Sequence, residues 1–388
     1  MAKGQIIYAG GFKVPDLDAG AVRVNAVSDA LRAAGYEVRI IGDDYRGPSG
    51  MDRTRPLRDR WVTAITRGLD QHLLGRSVLR RIEQVDWRGV CAVIYYPGPA
   101  ALLWQLIRIC RKRRVRLIVD STEWYDPSHT ILGRFGPLAF DSEFRMRWLQ
   151  ARARNVICIS SYLAQHFLKQ GCNVIRVPPL IGNDPELGSN CASKRHAKGI
   201  SLVYAGSPGR KELLREIISG VGAARRKGID VSFRIVGISE ADLQASVGLQ
   251  GGEQRFLDGI VCHGRLPRRD AMRIVAESDY TVLLRPQERF ANAGFPSKLV
   301  ESLSLGIPVL ANVTSDIAEF VRDGVEGFLL SSPTAAALED AITRAVALTG
   351  EERDRMRANA LSRARECFDY RLYASKLDAF ISSARVFA

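Results

Sequence analysis

Residues 283–309 read LLRPQERFANAGFPSKLVESLSLGIPV, and this run joins a strand, a Gly/Pro loop and a helix start. The apolar strand occupies 280–284, and 297–305 carry a helical period whose buried side is Leu299, Val300, Leu303 and Leu305. A chain that passes from strand through loop to helix places the helix start above the strand ends. Unpaired backbone N–H groups and the positive end of the helix dipole make that start an anion site, and Lys298 adds a full charge beside it. A diphosphate fits there. One turn on, the carboxylate of Glu301 is an acceptor for two adjacent hydroxyls of the kind a ribose presents. The same residues also read as a capped surface helix with an exposed glutamate.

Outward from this run, strand-like and helical periods alternate through almost the whole chain, as in parallel α/β architecture. In the first half strands are expected at 5–9, 37–41, 90–95, 116–120, 155–159 and 173–177, with helices at 22–34, 100–112, 138–152 and 161–169. The stretch 178–199, PPLIGNDPELGSNCASKRHAKG, then breaks every period and reads as an interdomain connection. Strands resume at 200–205, 231–236, 259–263, 280–284, 309–312 and 327–330, and helices at 334–348, 351–365 and 371–384 close the chain. At 388 residues the length suits two domains. They are expected at 1–182 and 200–368, with 183–199 as linker and a C-terminal helix at 369–388 that packs back on the first domain. Two doubly wound parallel sheets with ligand-facing loops at their strand ends imply a central cleft.

A hydrophobic content of 46% and a charged content of 25% exclude a disordered chain. No apolar run approaches the roughly 20 residues that span a bilayer, and the N-terminus MAKGQIIYAGG lacks a signal pattern. A cytoplasmic location is therefore expected. The seven cysteines are scattered without C-x-x-C or His spacing, which points to neither a zinc site nor a disulfide framework. Asp16 and Asp18 form a D-x-D pair in a Pro/Gly turn, too common a spacing to assign a metal.

The net charge of +14 calls for an anionic partner: nucleic acid, an acidic membrane or a phosphate-bearing substrate. No reader motif or aromatic stacking platform accompanies the charge, so nucleic acid is not expected. Between Arg53 and Arg81, arginines interleave with Trp61, Ile65, Leu69, Leu73 and Leu79. Such a stretch suits a helix lying on anionic lipid, and equally a packed helix with a solvated basic face.

The strand at 200–205 ends at Gly206 and continues SPGRKELLREII, so a Gly/Pro turn follows with Ser207 in it and delivers Arg210 and Lys211 to a helix start. Two cations there oppose the helix dipole unless an anion compensates them. Arg210 and Lys211 are accordingly expected to hold a diphosphate and stabilise it as a leaving group. In the bland reading Glu212 neutralises an exposed helix start.

AGSPGRKELL, VCHGRLPRRDAMRIVAESDYTVLLRP, AGFPSKLVESLSLGIPVLAN and DGVEGFLL, in that order, closely resemble the donor domain of the retaining GT-B glycosyltransferases of family four. The resemblance continues upstream through YAGGFKVPDLDAGAVRV, LIVDSTEWYDPS and VICISSYLAQHF, and within the family it is strongest to the bacterial exopolysaccharide and envelope-glycan branch. It implies the GT-B fold, with two Rossmann-like domains. It puts Glu301 on the donor ribose, Arg210 or Lys211 on the diphosphate, and the backbone of Gly294, Phe295, Pro296 and Ser297 near sugar and phosphate. The turn His263, Gly264, Arg265, Leu266 falls where the nucleobase is held. One departure stands out: the first of the motif's two glutamates is replaced by Ala293. Asn292 or the Thr314-Ser315-Asp316 turn is the candidate substitute for its contact to the sugar.

In the first domain Gly10 and Gly11 follow the opening strand and let backbone approach a phosphate or acceptor, or simply form a turn. Asp120 and Glu123 in IVDSTEWYD are the candidate acceptor base or orienting carboxylates, with Trp124 and Tyr125 as stacking surfaces. Asp120 also reads as a strand-end cap, and His129 as structural. The resemblance implies transfer of a sugar from a nucleotide diphosphate sugar to a glycan or lipid-linked acceptor hydroxyl, without a metal or other cofactor. An anionic membrane surface, at its inner face, is a further expected partner. The alternatives are a GT-B nucleotide-sugar epimerase and a donor-binding, non-catalytic partner of another transferase.

Overall fold

The computed structural model describes residues 3–13, 18–43, 75–125, 133–183, 199–206, 211–247 and 259–386. They fall into two compact units, Met1–Gly182 with Tyr370–Ala388, and Asn183–Asp369.

In the first unit β1 (Gln5–Lys13), β2 (Glu37–Asp43), β3 (Val90–Tyr96), β4 (Arg116–Ser121), β5 (Asn155–Cys158) and β6 (Asn173–Arg176) form a parallel sheet in the order β2-β1-β3-β4-β5-β6. Its central strands read as near-continuous apolar runs because helices cover both faces. Ile6, Ile7, Tyr8, Val93, Ile94, Ile118 and Ile157 are all fully buried. The chain winds one way from β1 to β2 and the other way from β3 onward, so right-handed crossovers put the helix Ala19–Ala33 on the face opposite the helix Ala100–Arg113.

β1 is longer than its sequence suggests. It passes through Gly10 and Gly11 to Lys13, where a strand ending at 9 and a turn were expected. The glycines serve close packing of backbone on backbone. A Cβ on Gly10 would stand 2.2 Å from the carbonyl oxygen of Tyr96, and one on Gly11 3.0 Å from that of Pro97.

Between β4 and β5 the chain forms one helical run with three windings: an α-helix Pro137–Phe144, a π-turn Arg145–Leu149 and a 3-10 turn Gln150–Ala153. Ala139, Ser142, Met146, Leu149 and Ala153 face inward from it. Of the basic stretch 53–81, residues 53–74 lie outside the described residues, as does His129. The described remainder contains the helix Arg76–Glu83, which buries Val78 and Ile82 and whose Arg81 donates to the Gly42 carbonyl at 2.9 Å. That helix is packed, with a solvated basic face.

The second unit holds β7 (Ile200–Ala205), β8 (Val231–Val236), β9 (Ile260–Cys262), β10 (Tyr280–Leu283), β11 (Val309–Asn312) and β12 (Gly327–Leu330), in the order β12-β11-β10-β7-β8-β9, all parallel. The winding reverses between β7 and β10. That reversal is the switch point of a doubly wound sheet, the place at which such sheets bind their ligands.

The tail after Asp369 belongs to the first unit. Its helix Ala374–Ser383 places Leu377, Phe380 and Ile381 in the core beside Val24, Val27 and Leu31. Asp378 accepts from Lys3 at 2.7 Å and from the Tyr36 hydroxyl at 2.9 Å, tying this helix to the first strand and its neighbourhood.

Candidate functional site

At the switch point of the second unit, β7 ends at Gly206 and β10 runs into Leu284 and Arg285. The helix Ser297–Ser304 starts after Pro296 with no side-chain cap, leaving its first N–H groups unserved by a capping side chain. Lys298, in its first turn, reaches back to β7. Its ammonium is 3.3 Å from the Glu212 carboxylate and 5.2 Å from the centroid of the Tyr204 ring. A Cβ on Gly206 would lie 2.2 Å from Lys298 Cε, so the bare glycine is what lets the lysine cross the strand end. Gly206 and Glu212, on either side of the first cation-bearing turn, thus both meet Lys298 of the second.

Two further charged groups complete this end of the sheet: Glu212, which the sequence offered only as the neutraliser of an exposed helix start, and Arg285, which it did not mark. Glu212, 8% exposed, is the lysine's counter-ion. Arg285 is buried, donates from Nη1 to the Ala291 carbonyl at 3.1 Å, and exchanges backbone hydrogen bonds with the Asn312 amide. Burial and then the Glu212 carboxylate push the Tyr204 phenol far above its ordinary value, while Arg285 pulls it down. The sequence signal for Arg285 is a charge ending an otherwise apolar strand, directly before Pro286.

Glu301 lies one turn beyond Lys298 and pairs with Arg268, Nη1 to Oε1, at 2.8 Å. Arg268 opens the helix Arg268–Ala276, which follows the turn through Gly264, Arg265 and Leu266. Gly264 adopts φ +66°, donates to the Ile238 carbonyl and accepts from Gly237, which fixes this turn against the end of β8. Arg265 and Leu266 are exposed. The Arg268–Glu301 pair therefore brings the expected nucleobase turn and the expected ribose acid side by side.

Phe295 buries its ring against Phe320 and Phe368, at centroid distances of 5.5 and 6.2 Å. Gly294, Phe295 and Pro296 are all buried, so the Phe295 side chain serves packing. Ala293 is fully buried. Asn292 spends both ends of its amide on backbone, accepting from Ser315 N at 2.9 Å and donating to Glu288 O at 3.1 Å. It is thereby the strut of the 314–316 turn, in which Ser315 holds φ +52°.

Ser207 and Arg210 lie outside the described residues. Lys211 falls in a turn, since the helix begins only at Leu214 (Leu214–Arg226) and Leu213 N donates to Leu284 O at 2.9 Å. The expected position in a first helical turn is corrected accordingly: the backbone tie to β10 delays the helix by three residues.

In the first unit Asp120 is fully buried. Arg23 grips it with two hydrogen bonds, Nε at 2.9 Å and Nη2 at 2.7 Å, and the Tyr8 hydroxyl donates to the same carboxylate. Burial alone would lower the Arg23 guanidinium, but the Asp120 carboxylate more than offsets this and holds it above its ordinary value. Burial and the same carboxylate push the Tyr8 phenol well up. A carboxylate so enclosed ties β1, β4 and the helix Ala19–Ala33 together and cannot reach an acceptor hydroxyl. Gly10 packs against Tyr96 at the end of β3 and Gly11 against Pro97 just beyond it. Glu123 is partly exposed in the loop after β4 and lies near the Tyr96 phenol. Trp124 is buried, donating to Glu143 at 3.0 Å and packing edge-on to His166, so Tyr125 is the accessible ring of the pair. Asp18 caps the helix Ala19–Ala33 by accepting from Ala21 N at 2.8 Å; Asp16 lies outside the described residues.

Residues 195–363 match the family described as glycosyl transferases group 1, and residues 19–180 match the glycosyl transferase 4-like domain. No curated protein sequence matches the chain. Among solved structures, Anabaena HepE in complex with UDP and glucose is similar at 14% identity and a TM-score of 0.65, over 98% of this chain and 100% of that one. The sucrose-phosphate synthase of Thermosynechococcus elongatus is similar at 14% identity and a TM-score of 0.65, over 98% of each chain. The lipopolysaccharide outer core galactosyltransferase WaaB in its apo form is similar at 14% identity and a TM-score of 0.61, over 98% of this chain and 99% of that one.

Proposed function

We propose that this chain, which belongs to the GT-B glycosyltransferases, moves a sugar from a nucleotide diphosphate donor to an acceptor hydroxyl with retention of anomeric configuration, in the assembly of an exopolysaccharide or another envelope glycan. The observation that carries the reading is Lys298 lying across Gly206 at the switch point, with Glu301 one turn further along the same helix. A diphosphate seated there meets the lysine and the uncapped helix start, with Lys211 in the turn before the helix Leu214–Arg226 as the further cation. Those groups face the charge that builds on the departing diphosphate, which is where preorganised electrostatics lowers a barrier most. No metal is needed for that role.

Glu301, oriented by Arg268 through one oxygen, presents the other to the ribose hydroxyls. The turn at 264–266 receives the base. Retention follows from attack on the face that the leaving group vacates, with a donor phosphate oxygen taking the acceptor proton. The complexes of HepE with UDP and with UDP-glucose support a uridine nucleotide as the first donor to try, and WaaB supports an envelope glycan as product. The acceptor is a glycan or a lipid-linked sugar, met at the cytoplasmic face of a membrane.

The test is a panel of nucleotide sugars, first by thermal shift and then by transfer to candidate acceptors, with the anomeric configuration of the product read by NMR. A donor at a hundred times its dissociation constant stabilises by about 2.7 kcal/mol. An inverted product, or no donor binding anywhere in the panel, removes the proposal. One observation favours a second reading, a donor-binding partner without its own activity: the buried Ala293 stands where the family's first glutamate would be. Donor binding without turnover on any acceptor would select it, and donor consumed with no acceptor present would select an epimerase.

A further inference from the structure

The amino ends of β3 and β4 border a hollow of about 970 Å³ that the transfer site does not use. One wall is the segment from Ile82 to Val90, which leaves the helix Arg76–Glu83 and enters β3. The other is the end of the helix Ala100–Arg113 with its turn into β4. Glu123 follows the carboxyl end of β4, at the opposite edge of the same sheet, and a strand of this length holds the two edges about 20 Å apart. The volume is at the upper end of what small-molecule sites enclose. A second hollow, of about 610 Å³, continues along the same helix, sharing Ile109 and Lys112 with the first and adding Gln105 and Arg108. Together they form a track.

Trp87 is the aromatic of this track. Its ring carries the Arg113 guanidinium, with Cζ 4.7 Å from the centroid, and such stacking fixes the guanidinium plane while leaving N–H edges to donate. The Trp87 Nε1–H is buried with no hydrogen-bond partner among the described residues, and an unserved buried donor calls for an acceptor. Asp86 is spent on Arg88, Nη2 to Oδ2 at 2.8 Å. Lys112, Arg113 and Arg114 then face the single carboxylate of Glu83. The side chains of Lys112, Arg114 and Glu83 form no ion pair among the described residues. The end of the helix dipole offsets only about half an elementary charge, so a positive excess remains.

The ligand that fits is therefore an anion, and its charge is spread out. A helix carboxyl end presents carbonyls and lacks the N–H groups that seat a compact pyrophosphate. Hydroxyl donors, by contrast, suit the Glu83 carboxylate, and a series of cations along a track suits charge carried at intervals on a chain. We propose that the track binds an anionic oligosaccharide. Carboxylate or phosphate groups on the sugars meet Lys112, Arg113 and Arg114, hydroxyls meet Glu83, and the Trp87 indole donates to a sugar oxygen. The inference rests on the proposed function only for its purpose, which is to hold a charged glycan away from the transfer site. Binding is measured without donor or acceptor, so its failure leaves the transferase reading to its own test.

The probes are tetragalacturonate, which carries carboxylates, and pentamannose 6-phosphate, with neutral mannopentaose as the control. The full chain is titrated with each at low salt, with affinity read by calorimetry and the indole N–H signals by NMR. At least one anionic probe binds and shifts the Trp87 indole signal, assigned by its loss in Trp87→Phe, and the tighter of the two identifies carboxylate or phosphate as the charge. Lys112→Ser with Arg114→Gly weakens binding about tenfold or more at an unfolding midpoint near that of the wild type. Both positions are exposed, and Arg114 holds φ 55°, a conformation that glycine adopts freely. Mannopentaose binding as tightly as the anionic probes, inorganic phosphate moving the Trp87 signal as far at equal concentration, a probe that binds without moving that signal, a double variant that binds like the wild type, or no binding of either anionic probe would each overturn the inference.

Discussion

Lys298 crosses the end of β7 so closely that a methyl on Gly206 would stand 2.2 Å from its Cε. The atoms in conflict are the far end of a flexible side chain, so Gly206→Ala swings the ammonium away from Glu212 rather than breaking the sheet, although the backbone at φ +152° adds strain. Lys298→Ala is expected to lower turnover roughly a hundredfold or more. Gly206→Ala should reproduce much of that loss with Lys298 still present. Steady-state kinetics of both variants with the best donor checks this; a wild-type kcat in Lys298→Ala removes the lysine from the site.

Glu301 and Arg268 act as a pair. Glu301→Ala should raise the donor KM by about tenfold, as expected for one charge-assisted contact, and Arg268→Ala should raise it less, because the carboxylate remains but is no longer oriented. A double-mutant cycle on donor affinity is expected to show coupling between them. Additive effects would mean that the pair is structural.

Asp120→Asn is predicted to act on stability. It leaves the Arg23 guanidinium buried opposite a neutral amide, and breaking a buried pair costs about 3–5 kcal/mol. Denaturant unfolding followed by a probe in the first unit should show that loss, while the donor-induced thermal shift of the second unit stays close to wild type. An unchanged unfolding curve with lost transfer would return Asp120 to the reaction.

Burial pushes the Cys110 thiol up to about 12. The unfolded chain releases this proton from about pH 8.5, whereas the folded chain keeps it, so between those values the folded state binds more protons and stability falls as pH rises. At pH 10 this amounts to about 1–2 kcal/mol, and Cys110→Ala should flatten the decline relative to wild type. Alkylation gives a second readout: Cys110 should stay unmodified in the native protein and react on unfolding.

Much of the fold was legible because the strands of a doubly covered parallel sheet are short apolar runs between Gly/Pro turns. Ile200–Ala205, Val231–Val236, Val309–Asn312 and Gly327–Leu330 coincide with their sequence readings. β1 overran its reading because Gly10-Gly11 is locally a turn signal, and only the approach of Tyr96 and Pro97 makes it a strand. The convergence on Lys298 was legible as two cationic turns. The pairings there were not, since Glu212 reaches Lys298 across 86 residues and Arg268 reaches Glu301 across 33, separations that no local pattern reports. Asp120 misled for the same reason, and the missed clue was Arg23, a lone cation among apolar positions of a helix.

The helix Ala374–Ser383 lends Leu377, Phe380 and Ile381 to the same core as Ile6 and Tyr8, so the first unit is stitched from the two extremes of the sequence. During synthesis β1 to β6 emerge early yet must wait, with one flank of their sheet bare, while nearly two hundred further residues are translated. The second unit, whose residues are consecutive, closes before the first. Removing residues 374–388 is expected to leave that flank bare and to raise aggregation, without touching Lys298, Glu301 or Arg268.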